Sequence, residues 1–183
     1  MIHQEEIVEG DLLYHAVHGL CRVDEVIKQN QSGKEGLCYS LVPKAADKMK
    51  ARFIVRAADM EVSGFHVLVS PKEANRILDY LKAGDKVTAP SGVTPKTVSS
   101  FAEQHQTWGL AQAILSFSHD KFEAKDQRKR QMLERSAKGL VGELAFVFKT
   151  TLKETAARVQ KSLGNASKIN PSVLVALAHA SED

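Results

Sequence analysis

The 183-residue chain carries a net charge of +3, and 43% of its residues are hydrophobic and 26% charged. That composition is typical of a globular protein, and the length suits one large domain or two small ones. Two cysteines are too few for a disulfide framework, and the longest apolar cluster is far shorter than the ~20 residues of a membrane span. The acidic N-terminus does not resemble a secretory signal. We therefore expect a cytoplasmic protein with reduced thiols and no membrane span.

Positive charge is concentrated in the second half of the sequence. Residues 1–83 carry 11 basic and 12 acidic side chains, whereas residues 84–183 carry 14 and 10. The excess lies mainly in the stretch KFEAKDQRKRQMLERSAK, residues 121–138. A basic cluster of this kind is a candidate contact for a polyanion, although a solvated helix face is the plainer interpretation.

The first third of the chain has the pattern of a small antiparallel β-structure. Between Ile7 and Val69, short apolar runs alternate with turn signals, among them His18-Gly19. Closing four or five such strands into a barrel would remove most exposed edges. The predicted strands contain Leu12 and Tyr14, and then cover residues 21–27, 37–42 and 51–56.

Helical patterns begin after this region. Ser70, Pro71 and Glu73 predict an N-cap, a first helical proline and a capping box, and Gly84 predicts the helix end. Proline and glycine in DKVTAPSGVTPK predict a linker, so residues 1–69, 70–96 and 97–183 are expected to be the barrel, the connecting helix with linker, and a helical domain. Gly109 is a candidate break between two helices. The later helices are expected at residues 125–148, 153–163 and 171–180.

A cluster of histidines and cysteines near the N-terminus raises the question of a zinc site. His15, His18, Cys21 and Cys38 supply ligand atoms of the right type. Side chains alternate faces along a strand, however, and both cysteines lie in apolar strand patterns where a free thiol packs as a small hydrophobe. The structural interpretation is preferred, and a metal-dependent enzyme is kept as an alternative. With no nucleophile elbow and no phosphate-binding glycine loop, we expect no enzymatic activity, no cofactor and no small-molecule substrate.

Two stretches resemble the CarD/CdnL family of bacterial transcription regulators. VEGDLLYHAVHGLCRVDEV is similar to the start of the family, and KRQMLERSAKGLVGELAFVFKT is similar to its second signature, so that the likeness spans roughly residues 7–163. The resemblance implies an α+β fold, with a Tudor-like antiparallel β-barrel followed by an all-α helical domain. It also implies docking on the β subunit of bacterial RNA polymerase and contact with promoter DNA that modulates open-complex stability without reading sequence. His18-Gly19 would then be a barrel turn.

By family position, the polymerase-facing strand is ARFIVR. Such a strand can extend the sheet of a partner through main-chain hydrogen bonds. The residues expected to bind polymerase are Arg52, Ile54 and Arg56. In the alternative interpretation the two arginines only protect an exposed sheet edge from aggregation.

The DNA-contacting residues are expected on one long helix, where they would contact phosphates and not bases. Asp126 and Glu134 within the same run favour the alternative of a solvated helix face. Trp108, the only tryptophan, is either a bundle residue or a wedge at the DNA. A protein-interaction adaptor without DNA activity is the second candidate function. The candidate DNA-binding residues are Lys125, Arg128, Lys129, Arg130, Arg135 and Lys138.

Overall fold

The fold is of the mixed α+β class, as predicted. The computed structural model describes residues 7–31, 34–44, 51–84, 107–119, 126–165 and 168–182. The chain divides into two compact units, Met1–Leu68 with the strands and Val69–Asp183 with the long helices. The linker predicted at residues 85–96 and the helical start predicted at Thr97 lie outside the described residues.

Five strands form one antiparallel sheet with the order β4-β3-β2-β1-β5. A turn of 3-10 helix at Ala57–Asp59 and a short helix α1, Met60–Ser63, connect β4 to β5, and the sequence did not predict α1. Within the described strands no backbone pairing joins β4 to β5, so the sheet is open at the point where a barrel would close. The strands are β1 at Leu12–His15, β2 at Gly19–Gln31, β3 at Lys34–Pro43, β4 at Phe53–Arg56 and β5 at His66–Val67.

One face of this sheet packs on a hydrophobic core. Alternating residues of neighbouring strands contribute to it, because successive side chains of a strand point to opposite faces. Leu13, Val23 and Leu41 are fully buried there, and Val23 lies opposite Leu41 across β2 and β3. Phe65, just before β5, packs against the same cluster. The core thus uses all three central strands and the segment that follows α1.

Five longer helices can be numbered after α1. Leu133, Leu140 and Leu144 are buried, as the three-and-four spacing in this region predicted. The third helix runs unbroken through the buried Gly109, so the predicted break there is wrong. The helices are α2 at Pro71–Ala83, α3 at Thr107–His119, α4 at Gln127–Phe148, α5 at Leu152–Leu163 and α6 at Pro171–His179.

The capping box predicted at the start of α2 is only half formed. The Ser70 hydroxyl accepts a hydrogen bond from the Glu73 backbone N–H at 3.2 Å, with Pro71 in the first turn. The Glu73 carboxylate, however, accepts from Trp108 Nε1 at 2.7 Å and from Arg76 at 3.2 Å. The Glu73 carboxylate therefore accepts from Trp108 and Arg76, and not from the Ser70 N–H as a complete capping box would require.

A complete capping box occurs instead at the start of α5. The Thr151 side chain accepts from the Glu154 N–H, and the Glu154 carboxylate accepts from the Thr151 N–H at 3.0 Å. These hydrogen bonds to the charged form hold the pKa of the Glu154 carboxyl below its usual value. The motif Thr-x-x-Glu was present in the sequence and had been overlooked.

Helix α4 ends at a residue with an unusual backbone conformation. Lys149 has φ 54° and ψ 43°, and its N–H donates to the carbonyl oxygens of Ala145 and Phe146. Left-handed geometry at a helix C-terminus is normally provided by glycine, because a Cβ atom is crowded there. Lys149 is the one described non-glycine residue with a positive φ.

Replacing Lys149 by glycine should raise the free energy of unfolding by about 0.5–1 kcal/mol. The relief of the crowded Cβ outweighs the extra freedom that glycine gives the unfolded chain. Urea denaturation of the full chain measures the difference. Lys149→Ala is the matched control, because it removes the side chain and retains the Cβ; an equal gain in that variant would contradict the backbone explanation.

Candidate functional site

Strand β4 is an edge of the described sheet and presents an alternating surface. It pairs with β3 on one side, with Ser40 opposite Ile54 and Cys38 opposite Arg56. Phe53 and Val55 pack against the core, whereas the side chains of Arg52, Ile54 and Arg56 are exposed. The three residues proposed from the sequence therefore lie together on the outward face of an edge strand.

Ile54 is the apolar member of these three exposed side chains. It is 61% exposed and lies between two arginines that are already engaged. Arg52 pairs with Asp24 at 2.7 Å, and Arg56 pairs with Asp59 at 2.6 Å. Exposed ion pairs of this kind contribute only about 0–1 kcal/mol, so a partner carboxylate can exchange with them at little cost.

The position of Asp24 explains how Arg52 is oriented. Asp24 lies at the irregularity between Val23 and Glu25, where β2 carries one residue more than β3. Such a bulge redirects a side chain out of the normal alternation. Arg22 also donates to Asp24, at 3.1 Å, so that the carboxylate holds two guanidinium groups. The sequence analysis missed Asp24, since a bulge leaves no clear pattern in a strand.

Four rings connect the β1–β2 turn to β4, and we call them the ring cluster: His15, His18, Phe53 and Phe65. The His15 and His18 rings stack with centroids 4.5 Å apart, and the His18 ring lies 4.3 Å from that of Phe53. Phe65 lies 4.7 Å from His15 and 5.7 Å from Phe53. The cluster thus joins the edge strand β4 to the segment before β5, the opposite edge of the described sheet.

The histidines and cysteines do not assemble as metal ligands. His15 Nδ1 accepts hydrogen bonds from the N–H groups of Val17 and His18, at 3.1 and 3.2 Å. Burial raises the pKa of the Cys21 thiol to about 11, which opposes the thiolate that zinc binds. Cys38 pairs with Ile27 on β2, away from Cys21, whose partner is Pro43. Across the described ranges, no three His, Cys, Asp or Glu side chains converge into a metal-binding group.

The basic residues of α4 fall on different sides of the helix. Arg128, Arg135 and Lys138 are exposed and separated by seven and three residues, which places them on one face, here called the basic stripe. Lys129 is half-buried. Arg130 borders a shallow groove of about 240 Å³ between α4 and α6, together with Leu133, Glu134 and Val175. Lys125 lies outside the described residues.

Asp126 has a local structural role at the start of this helix. Its carboxylate accepts a hydrogen bond from the Lys129 N–H at 3.1 Å and caps α4. A negative charge at this position also favours the helix dipole. One of the two acidic residues that favoured a merely solvated face is therefore explained by capping. The other, Glu134, borders the groove and lies one helical turn before Lys138 of the basic stripe.

Trp108 packs between helices. Its indole N–H donates to Glu73 at 2.7 Å, and its ring lies edge-on to Tyr80 at 5.6 Å. Both partners belong to α2, whereas Trp108 belongs to α3. The indole therefore joins two helices, and this geometry favours the bundle interpretation over a DNA wedge.

Glu143 is a buried polar centre that the sequence analysis did not identify. Its side chain is fully buried, and its carboxylate accepts from Thr107 Oγ1 at 2.7 Å and from the Val69 N–H at 3.1 Å. It therefore ties α4 to α3 and to the segment before α2. The signal was a single acidic residue inside the apolar run LVGELAFVF.

No protein-family model matches the chain, and a search of curated proteins found none similar to it. Within the parts of the chain that the structure describes, no helix has both the length and the apolar character needed to cross a bilayer.

Replacing Glu143 by leucine should lower the free energy of unfolding by about 2–4 kcal/mol, because buried donors on Val69 and Thr107 lose their acceptor. Urea denaturation of the full chain measures this loss. Glu143→Gln retains an acceptor oxygen and should lose less, and Thr107→Val removes one donor and should cost about 1 kcal/mol. Wild-type stability in Glu143→Leu would show that these hydrogen bonds are not needed.

Proposed function

We propose that this chain is a CarD-like transcription regulator without enzymatic activity. In this proposal, β4 docks on the β subunit of bacterial RNA polymerase, and α4 contacts promoter DNA through phosphates. The protein would thereby alter the stability of the open complex at initiation. The exposed edge strand β4 is the observation that carries the proposal, because it offers a binding mode that needs neither cofactor nor catalytic group.

The two stretches that resemble the family lie in the same two units as these two surfaces, and the first stretch does not include β4 itself. The first signature covers β1, the His18-Gly19 turn and the start of β2, and the second covers most of α4. A Tudor-like barrel is part of the proposal. The contact between the Phe53 and Phe65 rings at 5.7 Å supports it, since side chains bring the two edges of the open sheet close together.

Docking through β4 follows from the chemistry of an edge strand. The unpaired side of β4 can form main-chain hydrogen bonds with a strand of the partner, while alternate side chains provide specificity. Ile54 supplies an apolar contact at the centre, and Arg52 and Arg56 can exchange Asp24 and Asp59 for carboxylates of the partner. The affinity would then come from the main chain and Ile54, and the orientation from the arginines.

Contact with DNA is proposed for the basic stripe and not for every cation of α4. Arg128, Arg135 and Lys138 share one exposed face, as phosphate-binding residues along a duplex require. Arg130 lies toward the groove between α4 and α6 and is a weaker candidate. Because the Trp108 indole N–H is hydrogen-bonded to Glu73, Trp108 is not proposed to contact DNA bases.

Ile54→Glu should abolish capture of the polymerase β subunit by the full chain, because a carboxylate would be desolvated at the centre of the contact. A pull-down with purified bacterial RNA polymerase measures this. Val67→Glu is the matched control, since Val67 is 58% exposed on β5 at the other edge of the sheet.

Equal capture by wild type and Ile54→Glu would rule out β4 as the docking strand. Loss of capture in both Ile54→Glu and Val67→Glu would indicate a general effect on the sheet and not a contact at β4. Capture without any effect on promoter opening would favour the adaptor function.

The double variant Arg135→Glu, Lys138→Glu should weaken binding to duplex DNA by about tenfold or more at low salt and reduce the salt slope by about 2. Titration of labelled promoter DNA at several salt concentrations gives both quantities. Lys153→Glu, Lys161→Glu makes the same charge change on exposed residues of α5 and is the matched control. Equal losses in the two double variants would mean that net charge, and not the basic stripe, governs the interaction.

A further inference from the structure

The β1–β2 turn depends on an uncharged histidine. His15 Nδ1 accepts hydrogen bonds from two backbone N–H groups, those of Val17 at 3.1 Å and His18 at 3.2 Å. A ring nitrogen can accept only while it carries no proton, and in imidazolium both ring nitrogens are donors. Protonation of His15 in its folded position would direct an N–H at two other N–H groups. The ring is only 8% exposed, so water does not easily take over those hydrogen bonds.

A second titratable ring lies directly on the first. His18 is exposed and stacks on His15 with 26° between the ring planes. Two stacked imidazolium rings would repel each other, because neighbouring like charges disfavour the charged form. A proton on His15 would therefore remove the acceptor nitrogen of the turn and would also place a charge against the neighbouring ring.

The β1–β2 turn contacts β4, the strand proposed to dock on RNA polymerase, through the ring cluster. Phe53 is the member of the ring cluster that belongs to β4, and its ring centroid lies 4.3 Å from that of His18. Phe53 is the first residue of β4 and lies between Arg52 and Ile54. A change in the turn consequently removes packing from the residue that holds the start of β4 against the core.

Two arginines near Phe53 form ion pairs with carboxylates. Beside Phe53 on β4, Arg52 pairs with Asp24 and Arg56 pairs with Asp59. Next to Phe65, the His66 Nδ1 lies 3.3 Å from the carbonyl oxygen of Gly64, and its ring lies 6.0 Å from that of Tyr14.

We propose that the β1–β2 turn is a proton-responsive device that controls the order of β4. The neutral His15 holds the turn, and the ring cluster holds Phe53. When acid protonates His15, the turn loses its two hydrogen bonds and β4 becomes less ordered; burial and the two N–H donors favour the neutral ring, so this change lies toward the acidic side of the ordinary histidine range. The effect on the turn follows from the geometry alone; the effect on polymerase binding rests on the function proposed for β4.

The first test follows the turn itself by NMR of the full chain. The imidazole of His15 and the amides of Val17 and His18 are recorded from about pH 8 to about pH 5, which extends to the acidic side of the ordinary histidine range. The amides should shift together with the titration of His15. His15→Asn is the matched control, because asparagine Oδ1 occupies the place of Nδ1, accepts the same type of hydrogen bonds in a turn, and does not titrate.

In His15→Asn the two amides should no longer follow pH, apart from a residual effect of His18 that His15→Asn, His18→Phe removes. A His15 that stays neutral over this range, or one that titrates while both amides stay unmoved in wild type, would overturn the proposal. So would an unchanged pH response of these amides in the double variant.

The second test measures affinity for RNA polymerase at the two ends of the same pH range. Wild type should bind about fivefold or more weakly at the acidic end, as loss of one or two hydrogen bonds predicts, whereas His15→Asn should lose less. Equal losses in both proteins would assign the pH effect to the polymerase and refute control of β4 by His15. Absence of binding at any pH would refute the docking function, while the NMR test would still decide whether the turn responds to protons.

Discussion

The ring cluster is the contact on which the β unit depends. Backbone hydrogen bonds alone leave this sheet open, with β4 and β5 at its ends. The rings of His15, His18, Phe53 and Phe65 connect β4 to the segment before β5 through side chains, without a closed ladder in the described strands. In the described sheet β4 has a strand neighbour on one side, so its other side is available to a partner strand.

The helical unit depends on a different kind of interaction. Its helices pack by apolar stripes, which specify that they associate but discriminate weakly among registers. Glu143 adds the missing specificity, because a fully buried carboxylate requires its donors on Thr107 and Val69 in fixed positions. The hydrogen bond from Trp108 to Glu73 fixes α3 against α2 in the same way. Polar contacts between distant residues thus set the geometry of a bundle that apolar burial stabilises.

The two candidate surfaces, on β4 and on α4, consist of side chains that are not buried in a hydrophobic core. In β4 the inward Phe53 and Val55 anchor the strand, so Arg52, Ile54 and Arg56 point outward. In α4 the buried leucines hold one face, and Arg128, Arg135 and Lys138 occupy another. Function is proposed for the faces that packing leaves open, and at β4 the two arginines of that face pair with Asp24 and Asp59.

The sequence by itself determined the features that local backbone geometry controls. Three-and-four spacing buried Leu133, Leu140 and Leu144, proline marked the starts of α2 and α6, and glycine marked the ends of α2 and α5. Each of these depends on residues a few positions apart. Only the tertiary structure decided the polar partners. The Glu73 carboxylate accepts from Trp108 and not from the Ser70 N–H, and Arg130 borders the groove at α6. The bulge in β2 places Asp24 beside Arg52. Those choices depend on which donors and acceptors the fold brings close, and sequence periods contain no information about contacts between residues far apart in the chain.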